Sequence, residues 1–422
     1  MNSRFIFFIL MLLMFTNCMS YVGFDDIKLL GKVSRVFMLF LVPLTIVMWN
    51  RFPKTTLVRC AFLLMTFQLL SIVGAYAVHN QGFMDSFVVT SYALVYLVFP
   101  FMYVLNIKEE TLKKLFIVIG IWWAFTMLIQ QFTYPTYWFC NAQYHEEGVG
   151  MRNGVYRFGI AGTTYGLLML FYALQRYMDK PKFVYLILMA IGIMGVYLTC
   201  TRQIMAASAG CILVGMWLKG KIKIGALIGI AVIGLLIYRY SDALFGEYVE
   251  MTESVDKDYI RFISYEFYGL EYNKGNPIAI LLGNGIARGT TAYGHEMENY
   301  MKGYGLNQSD IGLVGEYSLH GIIYVFVILY IFWYVFKNRK YIDLYLQLYM
   351  LYVCVTSVML LHFRCSLGTF GTCVVLYMID RCITRKKRAI RDAYINRRQS
   401  LTNNDLQHPH TRIQADVPQG VH

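Results

Sequence analysis

The sequence predicts an all-helical membrane protein with many transmembrane segments, and three features support this fold class. Hydrophobic residues make up 57% of the 422-residue chain and charged residues only 15%, which is outside the range of soluble domains. The charges form short groups about 20 to 30 residues apart, as expected when helices cross a hydrocarbon core of roughly 30 Å. Backbone groups that face lipid must form hydrogen bonds within their own segment, which excludes an open β-sheet.

The apolar runs predict about twelve transmembrane helices within residues 1–382. Every second short loop is rich in Lys and Arg, which places those loops and both chain termini in the cytoplasm. The loop 20–35 departs from this pattern, because it is predicted outside yet carries Lys28, Lys32 and Arg35. The predicted spans are 5–20, 36–50, 57–78, 87–105, 115–132, 158–174, 183–199, 203–218, 224–238, 310–336, 342–362 and 366–381.

A long polar insert, residues 239–309, separates the ninth and tenth predicted spans on the periplasmic side. Long connections without helical content are usually either functional or disordered. This insert is rich in Tyr, Phe and Gly rather than in Ser, Pro and Lys, so we predict that it is folded and functional. The tail, residues 383–422, is basic and then polar, and we expect it to be disordered.

The net charge of +13 does not predict a nucleic-acid partner, because much of the surplus lies in the basic stretch 381–398, next to the last predicted span. A cytoplasmic flank of the membrane explains such a stretch better. The nine cysteines lie mostly in apolar segments and lack the spacing of metal ligands, so we predict neither a disulfide nor a metal site. Residues 1–18 are predicted to form a retained first span rather than a lipoprotein signal.

Four arginines lie at the predicted outer face, where the positive-inside rule gives them no topological role: Arg157, Arg202, Arg261 and Arg364. Arg202 and Arg364 occupy turns so short that their side chains must lie at or below the membrane interface, where an ionisable group is costly. Each arginine could instead extend to lipid phosphate or pair with a carboxylate. Because guanidinium geometry matches phosphate oxygens, four at one level favour a site for a pyrophosphate-bearing substrate.

A transfer reaction at this site would need a base, and the candidates are Asp310, His295, Glu316 and His320. Ser309 and Asp310 directly precede the predicted helix 310–336, so they could also serve as its N-cap. That helix would be roughly 40 Å long at 1.5 Å per residue, and its first turns would protrude into an outer cavity. Glu316 and His320 would then lie on one face of it, either at the site or in a purely structural hydrogen bond.

Together these residues resemble the motifs of the O-antigen polymerase and ligase superfamily, which assembles bacterial envelope glycans. The match covers roughly residues 150–335. Many members, ligases especially, have His-Asn where this chain has Ser309 and Asp310, which leaves the base open between Asp310 and His295 and favours a polymerase. The matching positions are the turn Thr201-Arg202, then Arg261 followed by aromatic residues and the Gly-x-Gly at 283–285, and then Ser309-Asp310 before a helix with Gly312, Gly315 and Gly321.

The resemblance implies an all-helical membrane glycosyltransferase of the bacterial inner membrane that uses no metal and no cofactor. Its substrate would be an undecaprenyl-pyrophosphate-linked oligosaccharide at the periplasmic face, and membrane lipids and a chain-length regulator protein would be further partners. The alternatives are an O-antigen ligase and, from another class, a lipid-glycan flippase. The chain has neither the matched halves nor the midplane charge cluster that are common in transporters, which favours the transferase.

The resemblance also implies roles for single residues. Asp310, or His295 in its place, would take the proton from the acceptor hydroxyl. Arg202 and Arg261 would act as catalytic residues that stabilise the departing pyrophosphate. The substrate-binding residues would be Arg157, Arg364, His295, Glu316 and His320.

Overall fold

The computed structural model describes residues 8–9, 11–13, 20–22, 29–140, 149–152, 154–221, 255–364 and 369–407. This part of the chain is almost entirely helical, which confirms the predicted all-α class; one small hairpin pairs β1 (Met151–Arg152) with β2 (Val155–Tyr156). The α-helices are α1 (Leu29–Val47), α2 (Thr56–His79), α3 (Phe83–Thr90), α4 (Val98–Leu105), α5 (Glu109–Thr133), α6 (Thr163–Asp179), α7 (Phe183–Leu198), α8 (Arg202–Leu218), α9 (Val255–Glu266), α10 (Pro277–Leu282), α11 (Ala292–Tyr304), α12 (Gly312–Lys337), α13 (Leu344–Thr356) and α14 (Thr369–Gln407).

Among the described residues, four helical stretches are long and apolar enough to cross a membrane: α2, the stretch Phe83–Leu105, α5 and α12. The second consists of α3 and α4 joined by the 3-10 helix Ser91–Leu97. They match the predicted spans 57–78, 87–105, 115–132 and 310–336. The apolar helices α7, α8 and α13 are shorter. The predicted span 224–238 and most of 5–20 lie outside the described residues.

Four predicted spans differ from the observed helices. α1 runs from Leu29 to Val47, where the prediction placed a span at 36–50. α6 begins at Thr163, so Arg157 precedes this helix by several residues instead of opening it. α13 ends at Thr356, and the chain from Ser357 to Arg364 is irregular, where the prediction continued a span to residue 362. α14 runs across the predicted boundary at residue 382 and on to Gln407. The tail is helical as far as that residue, in keeping with its many Arg and Lys residues, which form helix readily.

Helix α12 is broken at Gly321, which has φ 82° and ψ 172°, although the sequence predicted one continuous rod. The break fits against the end of α10 at Gly283. The amides of Asn284 and Gly285 donate to the carbonyls of Ser318 and Leu319, both at 2.9 Å. A side chain at Gly321 would overlap the backbone of Leu281, and one at Gly283 would overlap the backbone of Leu319. Only glycine permits both the positive φ and this close approach.

The described part of the insert, residues 255–309, is folded, as predicted from its composition. Its core is aromatic: Tyr268, Tyr272 and Tyr293 are fully buried, and the Tyr272 hydroxyl donates to that of Tyr293 at 2.8 Å. Burial raises the pKa of Tyr272 well above its ordinary value, so this hydroxyl remains a donor. The core packs on the end of α2, where the His79 ring stacks on Tyr293 with centroids 3.9 Å apart.

Gln81, just beyond α2, fixes the next part of the insert. Its Nε2 donates to the carbonyl of Ile286 at 3.0 Å. Its Oε1 accepts from the amide of Arg288 and from the hydroxyl of Thr291, both at 2.9 Å. Arg288 also forms an ion pair with Asp85 at the start of α3. These polar contacts hold the insert against the ends of α2 and α3.

Candidate functional site

A polar cavity of about 440 Å³ collects residues from five parts of the chain. It lies where the starts of α6 and α8 and the end of α13 meet the turn before α12 and the irregular segment 357–364. Asp310 and Arg364, both predicted from the sequence as site residues, line this cavity. The other polar residues in its wall are Thr163, Thr164, Ser309, Tyr349, Tyr352 and His362.

Asp310 ends a short 3-10 helix, Gln308–Asp310, that Asn307 caps. The Asn307 side chain accepts from the amide of Ser309 at 3.2 Å and donates to the Asp310 carboxylate at 3.3 Å. The Ser309 hydroxyl lies 3.3 Å from the other carboxylate oxygen. The sequence suggested that Asp310 could be the N-cap of α12. The N-cap is instead Ile311, which makes no side-chain capping bond. The turn itself orients the carboxylate.

Arg364 is carried by the irregular segment 357–364, whose backbone is held by hydrogen bonds from other helices. The carbonyl of Phe363 accepts from Gln68 at 2.8 Å, from Tyr96 at 2.9 Å and from Tyr324 at 2.5 Å. At its other end, the carbonyl of Ser357 accepts from the amide of Leu313 at 2.8 Å. Irregular backbone in a membrane protein is tolerated where it lines a cavity, and the second half of this segment lines the cavity described above.

The sequence predicted that Glu316 and His320 protrude into an outer cavity on the first turns of α12. Both side chains lie inside the protein instead. Both are fully buried. His320 Nε2 lies 4.0 Å from a Glu316 oxygen, too far for the hydrogen bond considered from the sequence, while His320 Nδ1 lies 3.4 Å from the Ser71 hydroxyl. The break at Gly321 and the packing of α12 against α2 turn this face inward. Arg364 is close enough to interact electrostatically with both side chains.

The Glu316 carboxylate is poorly satisfied for so buried a group. The backbone amides of Phe363 and Arg364 interact with it, but neither oxygen completes a hydrogen bond of normal geometry with any described residue. Burying a carboxylate without full hydrogen bonding is costly unless a cation lies nearby. Arg364 lies within electrostatic range of this carboxyl group, although the two side chains form no ion pair.

The remaining three arginines do not line this cavity. Arg202 is the first residue of α8 and is exposed, two residues before Ile204, which lines the cavity. Arg261 lies one helical turn before Tyr265 and interacts with it electrostatically. The Tyr265 hydroxyl donates to the carbonyl of Val358 at 2.5 Å. Arg157 follows the hairpin, and its amide donates to the carbonyl of Gly150 at 3.0 Å.

The two alternatives for the base occupy different places. Asp310 lines the cavity, whereas His295 does not. The His295 side chain is 67% exposed on α11, with its Nδ1 3.9 Å from Glu298. Only Asp310 therefore shares a cavity with an arginine.

Sequence reasoning missed several residues of the site. His362 lines the cavity two residues before Arg364, and its Nε2 lies 2.7 Å from the Thr356 hydroxyl. Gln68 and Ser71 hold the segment behind Arg364 and the buried His320. A signal for these two was present, because they are polar residues three positions apart in an otherwise apolar span, the spacing of one helix face.

The fold and this cavity define the class: a helical membrane protein whose polar cavity combines a carboxylate with a guanidinium group. Within the described residues, no group of three or more His, Cys, Asp or Glu side chains could hold a metal ion. The chain matches no known protein-family model, and no curated protein is significantly similar to it.

Proposed function

We propose that the protein is a glycosyltransferase that polymerises lipid-linked oligosaccharide repeat units, as in O-antigen, capsule or exopolysaccharide assembly. Its donor would be an undecaprenyl-pyrophosphate-linked glycan. The observation that carries the proposal is the shared cavity of Asp310 and Arg364, because this reaction needs a proton acceptor beside a group that binds pyrophosphate. The resemblance and the cavity have Ser309 and Asp310 in common.

In the proposed reaction, an acceptor sugar hydroxyl attacks the anomeric carbon of the donor, and the bond from that carbon to the lipid pyrophosphate breaks. Asp310 takes the proton of the hydroxyl as the new glycosidic bond forms with inversion. Arg364, in the same cavity, binds the pyrophosphate in the ground state. Arg202 and Arg261, which are outside the cavity wall, would stabilise the charge that develops as pyrophosphate departs.

The reaction requires the cavity to open on the periplasmic side of the inner membrane, with about twelve spans and both termini in the cytoplasm. Contacts between predicted cytoplasmic loops support this arrangement. Lys113 at the start of α5 and Lys386 of α14 lie 3.6 and 3.3 Å from the same residue, Asp343. Lys219 after α8 pairs with Asp179 at the end of α6 at 2.6 Å. These basic segments thus lie together, at the helix ends far from Asp310.

A flippase for lipid-linked glycans is the second candidate, because one observation favours it. The break of α12 at Gly321, against which the end of α10 at Gly283 packs, is of the kind that transporters use at their binding sites. Cysteines introduced at Thr164 and Leu361, both in the cavity wall, distinguish the two classes. A transferase would expose them to impermeant reagents from the periplasm only, whereas a flippase would expose them alternately to both sides.

The decisive experiment deletes the gene and resolves surface and lipid-linked glycans by size. We expect the mutant to retain single repeats and to lose the ladder of longer chains, and the wild-type gene to restore it. Full-length chains that accumulate on undecaprenyl pyrophosphate without reaching the lipid core would identify a ligase instead. Loss of all surface glycan with accumulation of single lipid-linked repeats on the cytoplasmic side would identify a flippase.

A further inference from the structure

A second cavity, of about 470 Å³, lies at the other end of three helices that line the first. α6 contributes Thr163 and Thr164 to the Asp310 cavity and Gln175 to this one. α8 contributes Ile204 near its start and Leu218 at its end, while α13 contributes its last turns to the first cavity and its first residues to the second. The two cavities therefore lie on opposite faces of the bundle.

This second cavity is strongly basic. Its charged residues are Lys219, Arg339, Lys340, Asp343 and Lys386. Asp343 is already engaged by two lysines, as described above, and Lys219 is engaged by Asp179. In the part of the chain that the structure describes, Arg339 and Lys340 form no ion pair with a carboxylate. The cavity thus retains positive charge that the protein does not neutralise.

Hydrogen bonds hold the backbone of the turn that carries the two cations left unpaired among the described residues. Arg339 and Lys340 lie in a 3-10 turn, Arg339–Tyr341. Gln347 fixes this turn, since its Nε2 donates to the carbonyls of Arg339 at 2.9 Å and Ile342 at 2.8 Å. The Oε1 atom of Gln175 accepts a hydrogen bond from the backbone amide of Tyr345 at 2.9 Å. The Nε2 atom of Gln175 has no acceptor among the described residues. An amide and two cations are therefore available to an anion.

The cavity lies at the level where a membrane surface is expected. α12 ends just before it, and Lys337 lies over the ring of Trp333, 4.5 Å from the centroid. Tryptophan is enriched at membrane interfaces, and basic residues beside it attract anionic headgroups. We propose that this basic cavity binds a phosphate group, carried by an anionic phospholipid headgroup or by a soluble phosphate compound.

The test uses the full chain in neutral detergent and measures its thermal unfolding. The probes are phosphatidylglycerol, zwitterionic phosphatidylcholine and inorganic phosphate. The test variant is Arg339→Gln/Lys340→Gln, and the matched control is Lys180→Gln/Lys182→Gln. The control pair lies in another basic loop, is exposed and does not line the cavity, so both variants lose two positive charges. Unfolding without any probe shows that each variant is folded.

We expect phosphatidylglycerol to stabilise the wild type and the control, and the half-maximal effect in the test variant to need roughly tenfold more lipid. Stabilisation by phosphatidylglycerol alone assigns the site to a lipid headgroup. An equal effect of inorganic phosphate that is lost in the test variant assigns it to a soluble phosphate. Equal stabilisation of both variants, or no stabilisation of the wild type by any probe, would overturn the proposal.

Discussion

At the scale of single residues, the carboxyl groups of Asp310 and Glu316 lie in different surroundings. Asp310 lines the open cavity and is held by its own turn. Glu316 is fully buried and interacts with the backbone of the segment that carries Arg364. Only the first lines the cavity, so the proposed proton transfer falls to Asp310.

Asp310→Asn and Glu316→Gln form a matched pair, because each replaces a carboxylate by an amide of similar shape. Asp310→Asn removes the proposed base and should reduce polymer formation at least a hundredfold, the lower range for general base catalysis. Glu316→Gln keeps an oxygen that can accept from the amides of Phe363 and Arg364, so it should retain most activity. Polymer length and amount are compared at equal protein level in the membrane. Normal polymer from Asp310→Asn would remove Asp310 as the base.

Arg202→Lys, Arg261→Lys and Arg364→Lys should fail nearly as severely as the corresponding alanine variants. Lysine retains the charge but cannot form the two parallel hydrogen bonds that a guanidinium group makes with a phosphate. Arg388→Lys, on the exposed part of α14, serves as the control and should be silent. The size distribution of the glycan reports the effect. A full ladder from all three variants would mean that the arginines supply only general charge.

At the scale of elements, the joint between α10 and α12 holds the insert to the membrane helices. The amides of Asn284 and Gly285 complete their hydrogen bonds on carbonyls of the first half of α12. Further bonds surround it: Asn284 Nδ2 donates to Asn273 at 2.6 Å, and Asn273 Nδ2 donates to the hydroxyl of Tyr317 at 2.8 Å. Because Glu316 lies on this half-helix and the turn of Asp310 directly precedes it, the joint also positions the site.

Gly321→Ala should lower the unfolding temperature markedly, since positive φ alone costs a side chain roughly 1–3 kcal/mol and its Cβ would overlap the backbone of Leu281. Gly303→Ala is the matched control. It lies within α11, and a Cβ there would meet no neighbouring atom, so alanine should stabilise the helix by up to about 1 kcal/mol. Thermal unfolding of the purified variants measures both. Similar unfolding temperatures for the two variants would contradict the tight joint.

At the scale of the whole molecule, the two cavities lie on opposite faces of the helix bundle. The proposed function places these two faces in different compartments. The basic loops, with Asp343 and Asp179 as shared partners, form one face. The insert and the Asp310 turn form the other. The proposed chemistry and the proposed phosphate site both depend on which face is periplasmic.

Reporter fusions test this orientation directly. Fusions after Lys180 and after Lys340 should be active as cytoplasmic reporters, and a fusion near Tyr272 as a periplasmic one. The reverse result at any of the three positions would place the arginines in the cytoplasm and end the proposal of a periplasmic transferase.

The sequence by itself determined the helical class and the approximate position of most helices. The reason is local: in lipid, each apolar segment must satisfy its own backbone hydrogen bonds, so hydropathy and length are enough to predict α2, α5 and α12. Arg364 and Asp310 could also be selected from the sequence, because charged residues near apolar spans are rare and costly.

Only the tertiary structure decided which of the selected residues share a cavity. Residues that face lipid and residues that face other helices are equally apolar, so the pattern of α12 does not reveal that Glu316 and His320 turn inward. The break at Gly321 depends on Gly283, which lies in another helix, and the position of Arg364 depends on Gln68, Tyr96 and Tyr324. Such contacts join residues far apart in the chain, and no local pattern records them.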